Sequence, residues 1–100
     1  MNEKIYYVMI EAVPKESNPE SAETIGAYVD VWVKTGSLDE AVQKAKEYVD
    51  QEEWIVDHVE ESSEVVREDY TDDPDLLECY DEACASGISA LFYTWDAEEE

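Results

Sequence analysis

Apolar and polar side chains alternate with a period of two along Ile25–Lys34, and this alternation predicts a β-strand. One face of that strand carries small and β-branched residues, namely Ala27, Val29, Val31 and Val33. The stretch Lys4–Val13 predicts another strand, and the side chains on both of its faces are largely apolar. A polar, proline-containing segment over residues 14–24 separates the two strands, and we interpret it as a mobile loop.

Two further strands are predicted downstream. Trp54–Val59 is a short run rich in β-branched residues, and Ile88–Trp95 is apolar on both faces, as in a central strand. Between them, the acidic stretch Glu60–Glu64 has no recognisable period. Val65 and Val66 either continue the third strand or form a brief edge piece.

Two segments show the helical period of 3.6 residues. The first starts with a capping box, in which Ser37 caps the helix and Glu40 reaches back. Its apolar stripe consists of Leu38, Ala41, Val42, Ala45, Tyr48 and Val49. The second begins with Asp73 as cap and Pro74 at its first position, and it ends at Gly87. Its apolar positions are Leu76, Leu77, Tyr80, Ala83 and Cys84.

These elements follow one another in the order β-β-α-β-α-β, which indicates an α+β fold. Two β-α-β crossovers predict a mixed four-stranded sheet with both helices on one face, that is, a two-layer sandwich. A chain of 100 residues has the usual size of one domain. We therefore predict a single acidic domain over residues 1–100, with an acidic tail at 96–100.

The formal net charge of −22 is unevenly distributed along the chain. Residues 1–46 contain eight acidic and five basic side chains, whereas residues 47–100 contain twenty acidic side chains and one basic one, Arg67. Such a surface repels nucleic acids and anionic membranes, so we expect direct binding to neither, and it attracts a basic protein. Alternatively, the acidity serves only solubility or adaptation to salt.

The chain carries none of the motifs that announce catalysis or cofactor binding. The only histidine, His58, lies on a predicted strand, no G-x-S-x-G motif is present, and no pair among the 28 acidic residues stands out. Gly26, Gly36 and Gly87 are isolated, which excludes a P-loop and a dinucleotide fingerprint. We therefore expect a protein that is not an enzyme and that uses no cofactor.

Neither a disulfide nor a specific metal site is expected. Cys79 and Cys84 lie five positions apart in one predicted helix, on different faces, which predicts buried, reduced thiols. The acidic turn Asp69–Asp75 fails as a calcium loop, because Pro74 and Tyr80 stand where an EF-hand needs Gly and Glu. No segment has the features of a signal peptide or a membrane span, which together with the thiols indicates a cytoplasmic protein.

Two surfaces are candidates for binding a partner. The first is a dense group of carboxylates: Glu60, Glu61, Glu64, Glu68, Asp69, Asp72, Asp73, Asp75, Glu78, Asp81 and Glu82. The second is the sheet face opposite the valines, where Tyr7, Met9, Tyr28 and Trp32 are expected together. These four side chains serve a partner or a homodimer if they are exposed. They serve core packing if the loop 14–24 or the segment Glu60–Tyr70 folds across them.

The sequence thus favours a small, acidic, non-enzymatic module that binds protein. In its sharpest form the protein is an inhibitor that mimics nucleic acid and engages a basic protein surface with carboxylates in place of phosphates. The alternative is a small regulatory or ligand-binding domain, or a homodimer, that uses the aromatic sheet face while the acidity serves solubility.

Overall fold

Four β-strands and two α-helices form the fold of residues 3–96, the part of the chain that the computed structural model describes. The elements are β1 (Lys4–Pro14), β2 (Thr24–Thr35), α1 (Leu38–Gln51), β3 (Trp54–Val65), α2 (Pro74–Ser86) and β4 (Ile88–Asp96), with 3₁₀ turns at Pro19–Ala22 and Arg67–Tyr70. The α+β class and the element order are confirmed. Asp96, the first residue of the predicted tail, belongs to β4, and residues 97–100 lie outside the described range.

The strands form one sheet in the order β3-β1-β2-β4, and every neighbouring pair is antiparallel. The prediction of a mixed sheet is therefore wrong, because the β1-β2 hairpin occupies the centre and separates the strands that the helices connect. The segment that contains α1 connects β2 to β3 and crosses over β1. The segment that contains α2 connects β3 to β4, which are the two edges of the sheet. β4 is consequently an edge strand, although its sequence predicted a central one.

α1 and α2 cover opposite faces of the sheet, which we call the α1 face and the α2 face. The fold therefore has three layers, and the predicted two-layer sandwich with both helices on one face is wrong. On the α2 face, Ile5 and Trp32 pack against Cys79 and Ala83 of the helix. Each large apolar side chain buried in this way contributes roughly 1.5–3 kcal/mol, so the second face needs a cover of its own.

The main core lies on the α1 face. Three small or β-branched residues of α1, Ala41, Ala45 and Val49, are buried there and let the helix approach the sheet closely. They pack against alternate residues of the central strands, namely Tyr6, Val8, Ile10, Ala12, Ala27, Val29, Val31 and Val33. The valine face predicted from the sequence is therefore the floor of this core.

β4 is apolar at successive positions because one of its faces packs in the core under α1 and the other in the cluster under α2. Phe92 lies on the α1 face, with its ring centroid 5.8 Å from that of Trp54. Leu91 lies on the α2 face and packs against the cluster around Trp32. An edge strand that is covered on both faces has the same sequence pattern as a central strand.

The predicted helix ends are confirmed. Ser37 accepts a hydrogen bond from the backbone N–H of Glu40 at 3.2 Å, and the Glu40 carboxylate reaches back to the Thr35 hydroxyl and to backbone just before the cap. Asp73 accepts from the Leu76 N–H at 3.2 Å. α2 ends at Gly87, whose φ of 99° lies in the left-handed region that favours glycine.

β3 is longer than predicted, because the acidic stretch Glu60–Glu64 and Val65 continue the strand by pairing with β1. The pairing contains irregularities on either side of Ile10 and Glu11, so that Glu60 has no direct partner on β1. Backbone hydrogen bonds to the central strand β1 hold these residues in an extended conformation, although their side chains do not alternate between apolar and polar.

The predicted loop 14–24 is shorter at both ends, because Pro14 belongs to β1 and Thr24 to β2. It contains one 3₁₀ turn and is anchored to Glu53. The Glu53 carbonyl accepts hydrogen bonds from the Lys15 N–H and the Asn18 side-chain amide, both at 3.0 Å. The Glu53 carboxylate accepts from the Ser17 hydroxyl. Glu53 itself has a φ of 72°, a conformation that costs a residue with a Cβ about 1–2 kcal/mol.

We therefore expect Glu53→Gly to be more stable than Glu53→Ala by about 1 kcal/mol, because only glycine adopts a positive φ without strain. Both variants lose the carboxylate that accepts from Ser17, so the comparison isolates the backbone. Urea denaturation at pH 7 measures the difference. Equal unfolding free energies would show that the chain at this position relaxes to an ordinary φ.

Candidate functional site

The eleven carboxylates predicted as a binding surface, from Glu60 to Glu82, are all exposed, and we call them the acidic surface. They belong to the end of β3, the turn Arg67–Tyr70, the residues that follow it, and the outer side of α2. Arg67 is the only basic residue within this stretch of sequence. The structure therefore places every one of these groups in contact with solvent.

Five of the eleven carboxylates have a partner within the protein. Glu60 bonds to His58, and Glu64 and Asp81 form ion pairs with Lys4 at 3.5 Å and with Arg67 at 3.0 Å. Asp69 and Asp73 accept hydrogen bonds from backbone N–H groups at 3.0 and 3.2 Å. Within residues 3–96, six carboxylates have neither an ion pair nor a hydrogen bond: Glu61, Glu68, Asp72, Asp75, Glu78 and Glu82.

Three of these six carboxylates lie on one side of α2. Asp75, Glu78 and Glu82 follow a spacing of three and four residues, which aligns them along the helix over about 10 Å. Cys79 and Ala83 form the neighbouring stripe of the same helix and are buried against the sheet. The amphipathic character of α2 therefore fixes a row of like charges that points into solvent.

A cleft of about 410 Å³ separates the start of α2 from β4. Asp73, Asp75 and Glu78 line it from the helix side, and Leu91 and Tyr93 are among its residues on the strand. Carboxylates above an aromatic and aliphatic wall suit the charged head and the apolar stem of a Lys or Arg side chain.

Trp32 and Tyr7 of the predicted aromatic surface lie under α2 and the turn Arg67–Tyr70. The Trp32 side chain is fully buried, and its indole N–H donates a hydrogen bond to the Tyr70 hydroxyl at 3.0 Å. Tyr7 is half-buried and donates to Asp30 at 2.8 Å. Burial raises the pKa of the Asp30 carboxyl. Of the segment Glu60–Tyr70, residues 60–65 lie in the sheet as part of β3, and only the turn that contains Tyr70 lies over Trp32, together with α2. Trp32 therefore offers no surface to a partner.

The remainder of the α2 face is not covered by the helix, and we call it the open half. Tyr28 and Tyr93 face each other across β2 and β4 and are 37% and 49% exposed. Val13 and Ile55 pair with each other across β1 and β3 on the same face, one row further from α2 than Tyr28, and both are also exposed. Met9, the fourth residue of the predicted surface, is half-buried nearer to α2. Tyr93, Val13 and Ile55 were not predicted as members of this surface, because the registers that pair Tyr93 with Tyr28 and Ile55 with Val13 cannot be inferred from one strand alone.

Trp95 borders the open half, with its ring 5.1 Å from that of Tyr28. Its indole lies so close over Gly26 that a Cβ there would be 2.3 Å from a ring atom. Gly26 therefore provides the flat backbone on which Trp95 rests.

His58 lies at the β3 side of the open half, directly opposite Glu11 of β1. Its Nε2 is 2.5 Å from a carboxylate oxygen of Glu60 and 3.5 Å from one of Glu11, and its Nδ1 is 3.1 Å from Asp57. Hydrogen bonds with Glu60 and Asp57 raise the pKa of His58 above its ordinary value. The sequence predicts a sheet residue there with Asp57 and Glu60 close by along the chain, whereas the approach of Glu11 follows from the pairing of β3 with β1.

The thiols differ from the prediction in one respect. Cys79 and Cys84 are both free, as predicted, but only Cys79 is buried. Cys84 lies at the margin of the apolar stripe of α2 and is exposed. Burial, together with the nearby carboxylates of Glu82 and Glu78, raises the pKa of Cys79, so this thiol is kept protonated.

Comparison with protein-family models, curated proteins and solved structures finds no match. None of the helices within residues 3–96 is long and apolar enough to cross a membrane.

A titration of His58 tests the carboxylate cluster. We expect Glu60→Gln to lower the pKa of His58, because it removes the largest cause of the raised value. Since the pKa is raised by folding, the pairing stabilises the fold fully below about pH 6.5 and ceases to do so as the pH rises through the folded-state pKa. The single imidazole makes the NMR titration unambiguous.

Glu64→Gln is the matched control, since Glu64 is an exposed acid of the same strand that pairs with Lys4 instead. An unchanged pKa in Glu60→Gln would show that the two side chains do not pair in solution.

Proposed function

We propose that this protein is a non-catalytic binding module whose acidic surface occupies a phosphate-binding surface on a basic, nucleic-acid-handling protein. The supporting observation is that all eleven carboxylates are exposed and that six of them have no partner within residues 3–96. Unpaired carboxylates in water break no ion pair or hydrogen bond within the protein when they bind a cationic surface. Their electric field also accelerates the encounter.

The spacing of charge along α2 supports the comparison with nucleic acid. Three carboxylates over about 10 Å give roughly one charge every 5 Å along the helix. One strand of duplex DNA carries a phosphate about every 3.4 Å along its axis. A groove lined with Lys and Arg for a phosphate backbone therefore meets a comparable row of anions on α2.

The concentration of acids on α2 has a cost, which also supports a binding role. Asp75 and Glu78 are like charges three positions apart, and Glu78 and Glu82 are four apart. Each such pair destabilises a helix by about 0.2–0.5 kcal/mol. Solubility requires only net charge, which exposed positions anywhere on the surface supply without this repulsion.

The cleft beside α2 supports a specific contact within this general attraction. An Arg or Lys of the partner that enters between Asp75 and Tyr93 places its cation among carboxylates and its stem on apolar surface. The cytoplasm is the compartment we propose for this binding, because an exposed free thiol such as Cys84 suits a reducing environment.

The double variant Glu78→Gln/Glu82→Gln tests the role of the acidic surface. We expect it to bind the partner about tenfold more weakly, a loss of about 1.4 kcal/mol. We also expect it to unfold at higher urea at low salt, because a like-charge pair is removed. Glu16→Gln/Glu47→Gln removes the same charge from exposed positions outside this surface and is the control.

The partner is obtained by capture from host lysate at low salt, and elution is compared for high salt and for duplex DNA. The proposal is supported if duplex DNA displaces the captured protein. It also requires that Glu78→Gln/Glu82→Gln no longer retains that protein while the control variant still does. Equal retention by both variants, or a complex that is insensitive to salt and DNA, would exclude it.

Self-association through the open half is a second candidate function. It is favoured by the exposed side chains of Tyr28, Tyr93, Val13 and Ile55, which occupy neighbouring register positions on one face. Several exposed apolar side chains on one face of a sheet are typical of interfaces.

Salt distinguishes the two functions. Because each copy has a net charge of −22, a dimer forms more readily as salt screens the repulsion, whereas a complex with a basic partner weakens. We expect Tyr93→Ser to abolish a dimer seen at high salt in sedimentation, and Leu38→Ser, an exposed apolar residue of α1, to leave it intact. A monomer at every salt concentration would dismiss this second function.

A further inference from the structure

The side chains of Glu11, His58 and Glu60 converge at one point of the open half. Glu11 lies directly across from His58 in the β1-β3 pairing, and Glu60 is two residues further along β3. Residues i and i+2 of a strand share a face, and a direct cross-strand neighbour lies about 5 Å away. The irregular pairing around Glu60 leaves it without a partner on β1, so its side chain is not held to a cross-strand neighbour.

The distances within this cluster match those between ligands of one metal ion. Each residue offers one ligand atom, and the three atoms lie within 4.8 Å of one another. The His58 Nε2 is 2.5 Å from Glu60 and 3.5 Å from Glu11. Nitrogen and oxygen atoms bound to zinc at about 2.0–2.2 Å lie roughly 3.0–3.6 Å apart, so small side-chain shifts bring the three atoms around one centre.

Charge gives the cluster a reason to hold a cation. Glu11 and Glu60 both approach the same nitrogen, and no Lys or Arg within residues 3–96 pairs with either of them. Only a protonated His58 balances them within the protein. A divalent ion in its place satisfies two carboxylates and a neutral imidazole at once, and the net charge of −22 concentrates such ions at the surface.

We propose that Glu11, His58 and Glu60 bind one divalent transition-metal ion of the zinc class, with its remaining coordination positions open to solvent. An imidazole ligand favours Zn²⁺, Co²⁺ or Ni²⁺ over Mg²⁺ and Ca²⁺, which prefer oxygen ligands alone. The site goes beyond the proposed function: it shares Glu60 with the acidic surface, whereas Glu11 and His58 lie outside that surface, so metal binding is tested separately from partner binding.

The acidic turn Asp69–Asp75 does not compete for this role. It supplies oxygen atoms only, and two of its carboxylates, those of Asp69 and Asp73, are engaged with backbone N–H groups. It serves instead as the control for nonspecific binding of cations to a highly charged protein.

Zinc titration of the metal-free protein, followed by calorimetry and by NMR of the single imidazole, tests the site. We expect one equivalent of Zn²⁺ to bind and to shift the His58 resonances, while Mg²⁺ at the same concentration leaves them unchanged. His58→Gln and Glu11→Gln should each weaken binding at least about tenfold. Asp72→Asn/Asp75→Asn, which removes two exposed acids of the turn, should bind as the original protein does.

Three outcomes would overturn the proposal. Zinc binding of equal strength in His58→Gln would place the ion elsewhere, and loss of binding in Asp72→Asn/Asp75→Asn would place it at the turn. Displacement of Zn²⁺ by an equal concentration of Mg²⁺ would identify counterion condensation only. The imidazole resonances of the unaltered protein decide the matter even if a variant fails to fold.

Discussion

The burial of Trp32 is the constraint on which the packing of α2 against the sheet depends. An indole in an apolar environment needs a partner for its N–H, and the Tyr70 hydroxyl supplies it from the turn that precedes α2. That hydrogen bond, the buried bond from the Ser89 hydroxyl to the Cys79 carbonyl, and the apolar contacts of Cys79 and Ala83 hold the turn and the helix on the sheet. The position of the acidic surface is therefore set by uncharged contacts beneath it.

The two faces of the sheet are used differently. On the α1 face, small and β-branched residues form a continuous core. On the α2 face the helix covers only the half around Trp32, which leaves Tyr28 and His58 near solvent on the same sheet. Aromatic, carboxylate and imidazole groups thus meet on rigid strands, where pairing between strands rather than loop geometry sets their spacing.

Local signals were sufficient for the parts of the fold that depend on neighbouring residues. The alternation in β2, the cap at Ser37 and the stop at Gly87 predicted elements that the structure confirms. The order of the strands and the face that α2 covers depend on contacts between distant segments, which no local pattern contains. For the candidate site, exposure of the acids followed from their charge, whereas the meeting of His58 with Glu11 follows only from the register of β3 on β1.

The two edges of the sheet differ in how they would accept another strand. β3 presents carboxylates and an irregular pairing at its edge, both of which oppose strand addition, whereas β4 carries no charged side chain from Ile88 to Trp95. If two copies paired through β4, each copy would have only its β3 edge left unpaired. Such growth would close at two molecules, because the remaining edge, β3, opposes the addition of another strand.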